Sequence, residues 1–189
     1  MAISNYSVEP ITRVVRMDVD TGRQTEVARA PVKRARFIAD LDGVVRFASG
    51  ADQENYSKLL YRENDKADWR VVNDEHATGR TEWPLGFSAD GKSAYLQVHD
   101  LSGPDSIVRF DPASGQRTEM LRDAQVDPDD VLYSVDGGTP VGASFVSDRR
   151  YSKFFDEKGD DAWLQRTLEK AFPDSAVEIT SRTADGKQA

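Results

Sequence analysis

Short apolar segments alternate with polar turns along most of the chain. Clear examples are residues 44–47, 94–98 and 107–110, in which β-branched and aromatic residues are frequent. Segments of this length between turn residues are typical of β-strands. The pattern therefore predicts an all-β chain built from short antiparallel strands.

Asp-Gly pairs recur along the chain at a nearly constant spacing. Their glycines are Gly43, Gly91, Gly137 and Gly186, which lie 48, 46 and 49 residues apart. Asp and Gly tolerate the positive φ that tight hairpins need, so we expect each pair to form a two-residue hairpin turn. The spacing indicates an internal repeat.

A second motif keeps the same period. An apolar strand leads into Thr21-Gly22, and a matching strand leads into Ser114-Gly115, 93 residues later. A period near 47 residues with four short strands per unit is typical of β-propeller blades. We therefore predict a partial β-propeller of about three to four blades, each with four antiparallel strands, and one short helical insertion.

One charged segment, residues 148–173, departs from the repeat. In its second half the following apolar residues fall on one helical face: Trp163, Leu164, Leu168, Ala171 and Phe172. We expect a helix from about residue 161 to residue 172, capped by Asp160 or Asp161, ended by Pro173 and packed on the flank of the propeller.

These patterns divide the chain into four regions. Residues 1–10 form an N-terminal extension, 11–147 the blades, 148–173 the helical insertion, and 174–189 the start of a further blade, with strand pattern resuming over 176–181. No strand follows the last Asp-Gly turn, and a hairpin without its second strand leaves a ladder unpaired. We therefore expect the chain to be part of a longer polypeptide, truncated within a blade.

Composition narrows the function classes. The chain has 189 residues, a net charge of −8 and no cysteine. The negative charge opposes contact with phosphate backbones, so we expect no nucleic-acid partner. The lack of cysteine excludes disulfides, thiolate metal sites and cysteine nucleophiles. We expect no membrane-spanning helix and find no signal-peptide core, which leaves both cytoplasm and periplasm open.

The residue types of hydrolytic catalysis are present without a catalytic pattern. The two histidines are His76, in a polar loop, and His99, at the end of a strand, and no nucleophile motif lies near either. Ser88, Ser106 and Ser144 are the serines nearest to a nucleophile-elbow pattern, but each lacks the second glycine of that motif. We interpret all of them as structural residues.

No cofactor or metal pattern appears either. The acidic run 127–130 lacks the spacing of a calcium loop, and we interpret it as a solvated loop. The two histidines, 23 residues apart, do not form a zinc site, and Gly137-Gly138 precedes no phosphate-binding helix. The basic cluster 33–36 is predicted to be the solvent face of a strand. We therefore predict no catalytic, cofactor-binding or metal-binding residues and no cofactor.

The stretch 83–96, Trp-Pro-Leu-Gly-Phe-Ser-Ala-Asp-Gly-Lys-Ser-Ala-Tyr-Leu, resembles propeller blades of the prolyl oligopeptidase family of serine peptidases. So does the stretch 107–111 followed by Ser114-Gly115. Residues 141–181, with the charged helix, are similar to the bacterial dipeptidyl/acylaminoacyl peptidase branch. The resemblance covers about residues 11–187 and implies an N-terminal propeller that precedes an α/β-hydrolase domain, absent from this chain.

The resemblance implies a non-catalytic segment that gates or positions peptide substrates for that hydrolase domain, which would be its partner. A non-enzymatic propeller that binds a protein partner stays open as the alternative. A propeller that itself performs lyase chemistry with metal and histidine is disfavoured by the shortage of histidine. The oligomeric state is left open.

Overall fold

The computed structural model describes residues 2–4, 12–134, 137–173, 175–179 and 183. Its regular elements are fourteen short strands and two helices. The strands pair in antiparallel fashion into four sheets that follow one another along the chain. In the described part of the chain, neither helix is long and apolar enough to cross a membrane.

The four sheets are numbered in chain order. Sheet 1 contains β1 (Ala2–Ser4), β2 (Arg13–Met17) and β3 (Gln24–Arg29). Sheet 2 contains β4 (Lys33–Ala39), β5 (Val45–Ala51), β6 (Ser57–Tyr61) and β7 (Arg70–Asp74). Sheet 3 contains β8 (Thr81–Phe87), β9 (Ala94–His99), β10 (Ser106–Phe110) and β11 (Arg117–Arg122). Sheet 4 contains β12 (Pro128–Tyr133), β13 (Pro140–Val146) and β14 (Arg150–Phe154). The helices are α1 (Glu75–Thr78) and α2 (Asp160–Ala171).

The repeat predicted from the sequence is confirmed. Strands β4, β8 and β12, which open sheets 2, 3 and 4, begin at residues 33, 81 and 128. In sheets 2 and 3 each strand pairs with its neighbours in sequence, which gives the four-stranded antiparallel meander of a propeller blade. The chain is an all-β partial propeller with one helical insertion.

The turn glycines adopt the left-handed conformation expected of them. Gly43, Gly91 and Gly137 have φ of 78°, 66° and 70°. The Asp-Gly pair at 185–186 and the aspartate before Gly137 lie outside the described residues. The turns are nevertheless longer than two residues, because Asp40 and Val44 close the first of them by a backbone hydrogen bond. The glycine follows a type I turn, where a left-handed residue brings the chain back into register.

Apolar cores fill the spaces between consecutive sheets. The core between sheets 1 and 2 contains Val14, Ala28, Ala30, Val32, Ala35, Phe37, Val45, Ala48 and Leu60. The core between sheets 2 and 3 contains Phe47, Leu59, Tyr61, Phe87, Ala94, Leu96, Val98, Val108 and Phe110. The core between sheets 3 and 4 is centred on Ile107, Ala143 and Phe145. Each sheet therefore has a forward face, directed toward the next sheet along the chain, and a rear face.

Helix α2 lies against β14, as predicted for a helix on the flank of the propeller. The predicted contact face is wrong, because Trp163 and Phe172 are 66% and 55% exposed while Ala162 and Gln165 are buried. Helical spacing identifies residues that share a face but not the face that packs, and the surface beneath this helix is polar. The N-cap is Gly159, so Asp160 and Asp161 lie in the first turn and do not cap the helix.

The structure places strands within two of the predicted regions and describes part of a third. Strand β1 lies within the predicted N-terminal extension and pairs with β2. Strand β14 lies within the predicted helical insertion and completes sheet 4. Residues 176–179 have no strand pairing, and residues 180–182 lie outside the described part.

Candidate functional site

The forward face of sheet 4 differs from the same face of sheets 2 and 3. In sheet 2, Phe47 of β5 pairs with Tyr61, and Leu59 of β6 pairs with Ser49. The register shift between the first two strands falls at the same place in sheets 2 and 4, so their residues correspond one by one. Two positions on this face differ in sheet 4. The first is occupied by Phe47 in sheet 2, by Tyr95 in sheet 3 and by Gly142 in sheet 4. The second is occupied by Leu59 in sheet 2, by Ile107 in sheet 3 and by Ser152 in sheet 4.

A polar row crosses this face of sheet 4. Asp130 of β12 pairs with Ser144 of β13, which pairs with Ser152 of β14. Directly paired side chains lie about 5 Å apart on one face of a sheet. Gly142 is in the next row and contributes no side chain, and even a Cβ there would lie 2.3 Å from the carbonyl oxygen of Lys153.

A cavity of about 450 Å³ lies over this row. Helix α2 contributes Gln165, and the segment 177–179 crosses beside it. Apolar walls are formed by Leu132, Phe154, Val177 and Ile179. The short side chain at Ser152 leaves space that Leu59 and Ile107 fill at the corresponding positions of the other sheets.

Two buried side chains offer unused hydrogen-bonding groups to the cavity. Gln165 is 5% exposed, and its Nε2 donates to Glu169 Oε1 and to the Val177 carbonyl, each at 3.0 Å. Its Oε1 accepts no hydrogen bond from the described residues. Ser152 is also 5% exposed, and its hydroxyl has no partner within the same set. Both side chains keep hydrogen-bonding capacity that a ligand in the cavity can use, which marks this site.

The charges around the cavity are mainly negative. Carboxylates of Asp130, Asp161 and Glu178 line it, together with the guanidinium of Arg150. Arg150 is engaged, because its Nη1 donates to Ser144 Oγ at 2.9 Å and its Nη2 pairs with Asp129. The carboxylates of Asp130 and Glu178 at the cavity are therefore suited to a cationic, donor-rich ligand.

The second polar cluster surrounds His99, which ends β9 as predicted. Its Nδ1 donates to Asp105 Oδ1 at 2.7 Å, and Gln97 donates to the other oxygen of Asp105, also at 2.7 Å. The backbone N–H of Asp105 donates to Asp127 Oδ1. The hydrogen bond with Asp105 raises the pKa of His99 above its ordinary value. This arrangement anchors the loop between β9 and β10.

The other sequence candidates have structural surroundings. His76 lies in α1 and not in a loop, and its ring centroid is 4.7 Å from that of Tyr56. Ser88 donates to Asp90 and accepts from the Ser93 N–H within its turn. In the described ranges, neither histidine is hydrogen-bonded to a serine.

The two charged clusters lie in strands. Asp129 and Asp130 belong to β12, so the prediction of a solvated loop is wrong for them, although both are exposed. Lysine and arginines of the 33–36 cluster form the exposed side of β4, as predicted. The described part of the chain contains no group of three or more metal-ligating side chains.

The sequence analysis missed Ser152 and Gln165. The sequence signal for Ser152 is its position in the repeat, but this position is not recognisable from sequence spacing because the loops differ in length. Phe47 and Tyr95 lie four residues after their turn glycines, whereas Gly142 lies five residues after Gly137. Corresponding positions in the sheets can therefore be identified from the strand register but not from spacing along the sequence.

Comparison with known proteins places the chain among propellers. No protein-family model matches it. Dipeptidyl aminopeptidase BIII from Pseudoxanthomonas mexicana is 26% identical over 179 residues, a match that covers 92% of this chain and 25% of that enzyme. The chain thus spans about a quarter of the length of this curated relative.

A solved structure supports the fold. The crystal structure of TolB from Acinetobacter baumannii, a β-propeller, matches with a TM-score of 0.50 at 19% identity, over 78% of this chain and 36% of that one. At this identity the likeness concerns the fold. Together the two comparisons show a propeller fold in a chain that is similar to one segment of a protein named as a peptidase.

Proposed function

We propose that this chain is the non-catalytic propeller segment of a prolyl oligopeptidase-like serine peptidase, and that it gates or positions peptide substrates for an α/β-hydrolase domain. One observation carries the proposal. A protein named as a dipeptidyl aminopeptidase aligns with 92% of this chain but with only 25% of its own length. The shared segment is thus a minor part of that enzyme.

Rigid contacts between the sheets support a gating role, because a wall that restricts access must resist opening. Arg117 forms two hydrogen bonds with Glu82 within sheet 3, at 2.8 and 2.7 Å. It also donates to the Val72 carbonyl of sheet 2 at 3.0 Å. Arg62 of sheet 2 donates in the same way to the Val27 carbonyl of sheet 1, at 3.0 Å.

The surroundings of the histidines support a non-catalytic segment. A serine nucleophile needs a base within hydrogen-bonding reach. His99 is held by Asp105, and the His76 ring contacts the Tyr56 ring in a tilted arrangement. We expect no labelling of a serine in the folded 189-residue chain by a fluorophosphonate probe. Stoichiometric labelling of one serine would contradict the non-catalytic assignment.

The gene sequence tests whether the parent protein is a serine peptidase. If the proposal holds, the reading frame that encodes residue 189 continues into a Gly-x-Ser-x-Gly motif followed by an aspartate and a histidine. A frame without these motifs rejects the peptidase assignment and favours a non-enzymatic interaction propeller.

Gating is tested separately in the protein encoded by that frame. Glu82→Gln weakens the contact between sheets 2 and 3, and we expect it to raise kcat/KM for a long polypeptide relative to a short peptide. Glu119→Gln, which changes an exposed carboxylate paired with Arg122, is the matched control. An unchanged ratio in a Glu82→Gln protein of lowered stability would reject gating and leave the peptidase assignment intact.

A further inference from the structure

We propose that the cavity between sheet 4 and α2 binds a small organic ligand that carries a primary ammonium group. This site lies beyond the gating function and does not depend on it. The proposal rests on unused acceptors inside the cavity, on the charges at its rim, and on the break in the blade pattern that creates it.

The unused acceptors lie in the interior. Gln165 of α2 and Ser152 of β14 both line the cavity, and each keeps an acceptor that no described residue uses. Both residues are 5% exposed. An ammonium group supplies three donors to such acceptors and itself accepts none.

The charges at the rim select a cation. Asp130 and Glu178 are exposed carboxylates at the cavity. Arg150 is occupied by Ser144 and Asp129, so it does not offer a free guanidinium to an anion. A cation therefore meets uncompensated negative charge, whereas an anionic ligand would be repelled.

The size and walls of the cavity define the rest of the ligand. A volume of about 450 Å³ accommodates a small molecule. Leu132, Phe154 and Val177 offer apolar surface to an alkyl chain. A compact alkylamine fits both parts of the site.

The break in the blade pattern is the independent support. Leu59 and Ile107, which occupy the position of Ser152 in the other sheets, are fully buried in cores. A leucine at residue 152 would continue that pattern and occupy the part of the cavity next to β14. The serine instead leaves a hydroxyl that packing does not use.

The test is an isothermal calorimetric titration of the full 189-residue chain with 1,4-diaminobutane at low ionic strength. We expect saturable one-to-one binding, with the uncharged 1,4-butanediol at least about tenfold weaker. Ser152→Leu should abolish binding while the melting temperature is kept or raised. Asp130→Asn, at an exposed site, should weaken binding about fivefold or more.

The matched control is Asp160→Asn, which removes one negative charge from the first turn of α2 outside the cavity lining. It should change the affinity by less than about twofold. Equal losses in the two variants would assign binding to the net charge of −8 and overturn the proposal. Absence of saturation, equal binding of the diol, or undiminished binding by Ser152→Leu would also overturn it.

Discussion

Sheets 2 and 4 share a strand register but have opposite chemistry on their forward faces. Sheet 2 places Phe47 and Leu59 against sheet 3, and both are fully buried. Sheet 4 has Gly142 and Ser152 at the corresponding positions, beneath α2 and a cavity. The framework of a blade is thus compatible with an apolar interface or with a polar recess, and the residues at these two positions differ between the two cases.

Removal of the Phe47 ring should give the largest change in the free energy of unfolding. Phe47 contacts Tyr61, Phe87 and Phe110 with ring centroids 5.1, 5.3 and 6.2 Å away. Phe47→Ala should lower the free energy of unfolding by about 3–5 kcal/mol, because it leaves a cavity in a closed core. Urea unfolding measures the loss. Phe154→Ala, beside the existing cavity, should cost less than half as much; equal losses would show that the two faces are packed alike.

An exchange at the corresponding positions sharpens the comparison. Leu59→Ser should lower the free energy of unfolding by about 3 kcal/mol, because it removes buried apolar surface and introduces a hydroxyl. Ser152→Leu should raise it by about 1 kcal/mol, because the side chain enters space that is already empty. Thermal unfolding of both variants measures the asymmetry. Destabilisation by Ser152→Leu would mean that the recess cannot take an apolar side chain.

Ion pairs in the packed region and at sheet 4 should also differ in their contribution to stability. The side chain of Glu82 is 4% exposed, and its pair with Arg117 lies within the packed region. Glu82→Gln should lower the free energy of unfolding by about 2–3 kcal/mol, since it leaves a partly buried guanidinium without its counter-charge. Asp129→Asn, which breaks the exposed pair with Arg150, should cost less than about 1 kcal/mol. Chemical denaturation of the two variants compares the pairs directly.

The smallest effect is the pH dependence that involves His99. Because Asp105 raises the pKa of His99 in the folded chain, the pair contributes stability below the unfolded pKa of about 6.5. This contribution is lost as pH rises through the folded pKa. The stability difference between the natural chain and His99→Gln should therefore be larger at about pH 5.5 than at about pH 8.5. A constant difference would contradict the assignment.

NMR titration of the His99 ring checks the cause of that shift. Asp105→Asn should lower the pKa of His99, because the amide no longer stabilises the imidazolium.

The features predictable from sequence were those set by local chemistry. The left-handed glycines indicated the turns, and the apolar segments between them indicated the strands. The helix at Asp160–Ala171 was also found, but its contact face was not, because Gln165 contacts a polar recess that only the folded sheet creates. The same reason hid the site: Ser152 becomes unusual only when strand pairing shows that it occupies the position held by Leu59 and Ile107 in the other sheets.

The arginines that reach back to the preceding sheet have a consequence for synthesis on the ribosome. Arg62 binds the Val27 carbonyl, and Arg117 binds the Val72 carbonyl. Each donor is thus translated well after its acceptor, so the last strand of a sheet gains this partner only once most of the next sheet has emerged. Nascent chains that end shortly before Arg62 or Arg117 should therefore be more sensitive to protease than chains extended by one sheet.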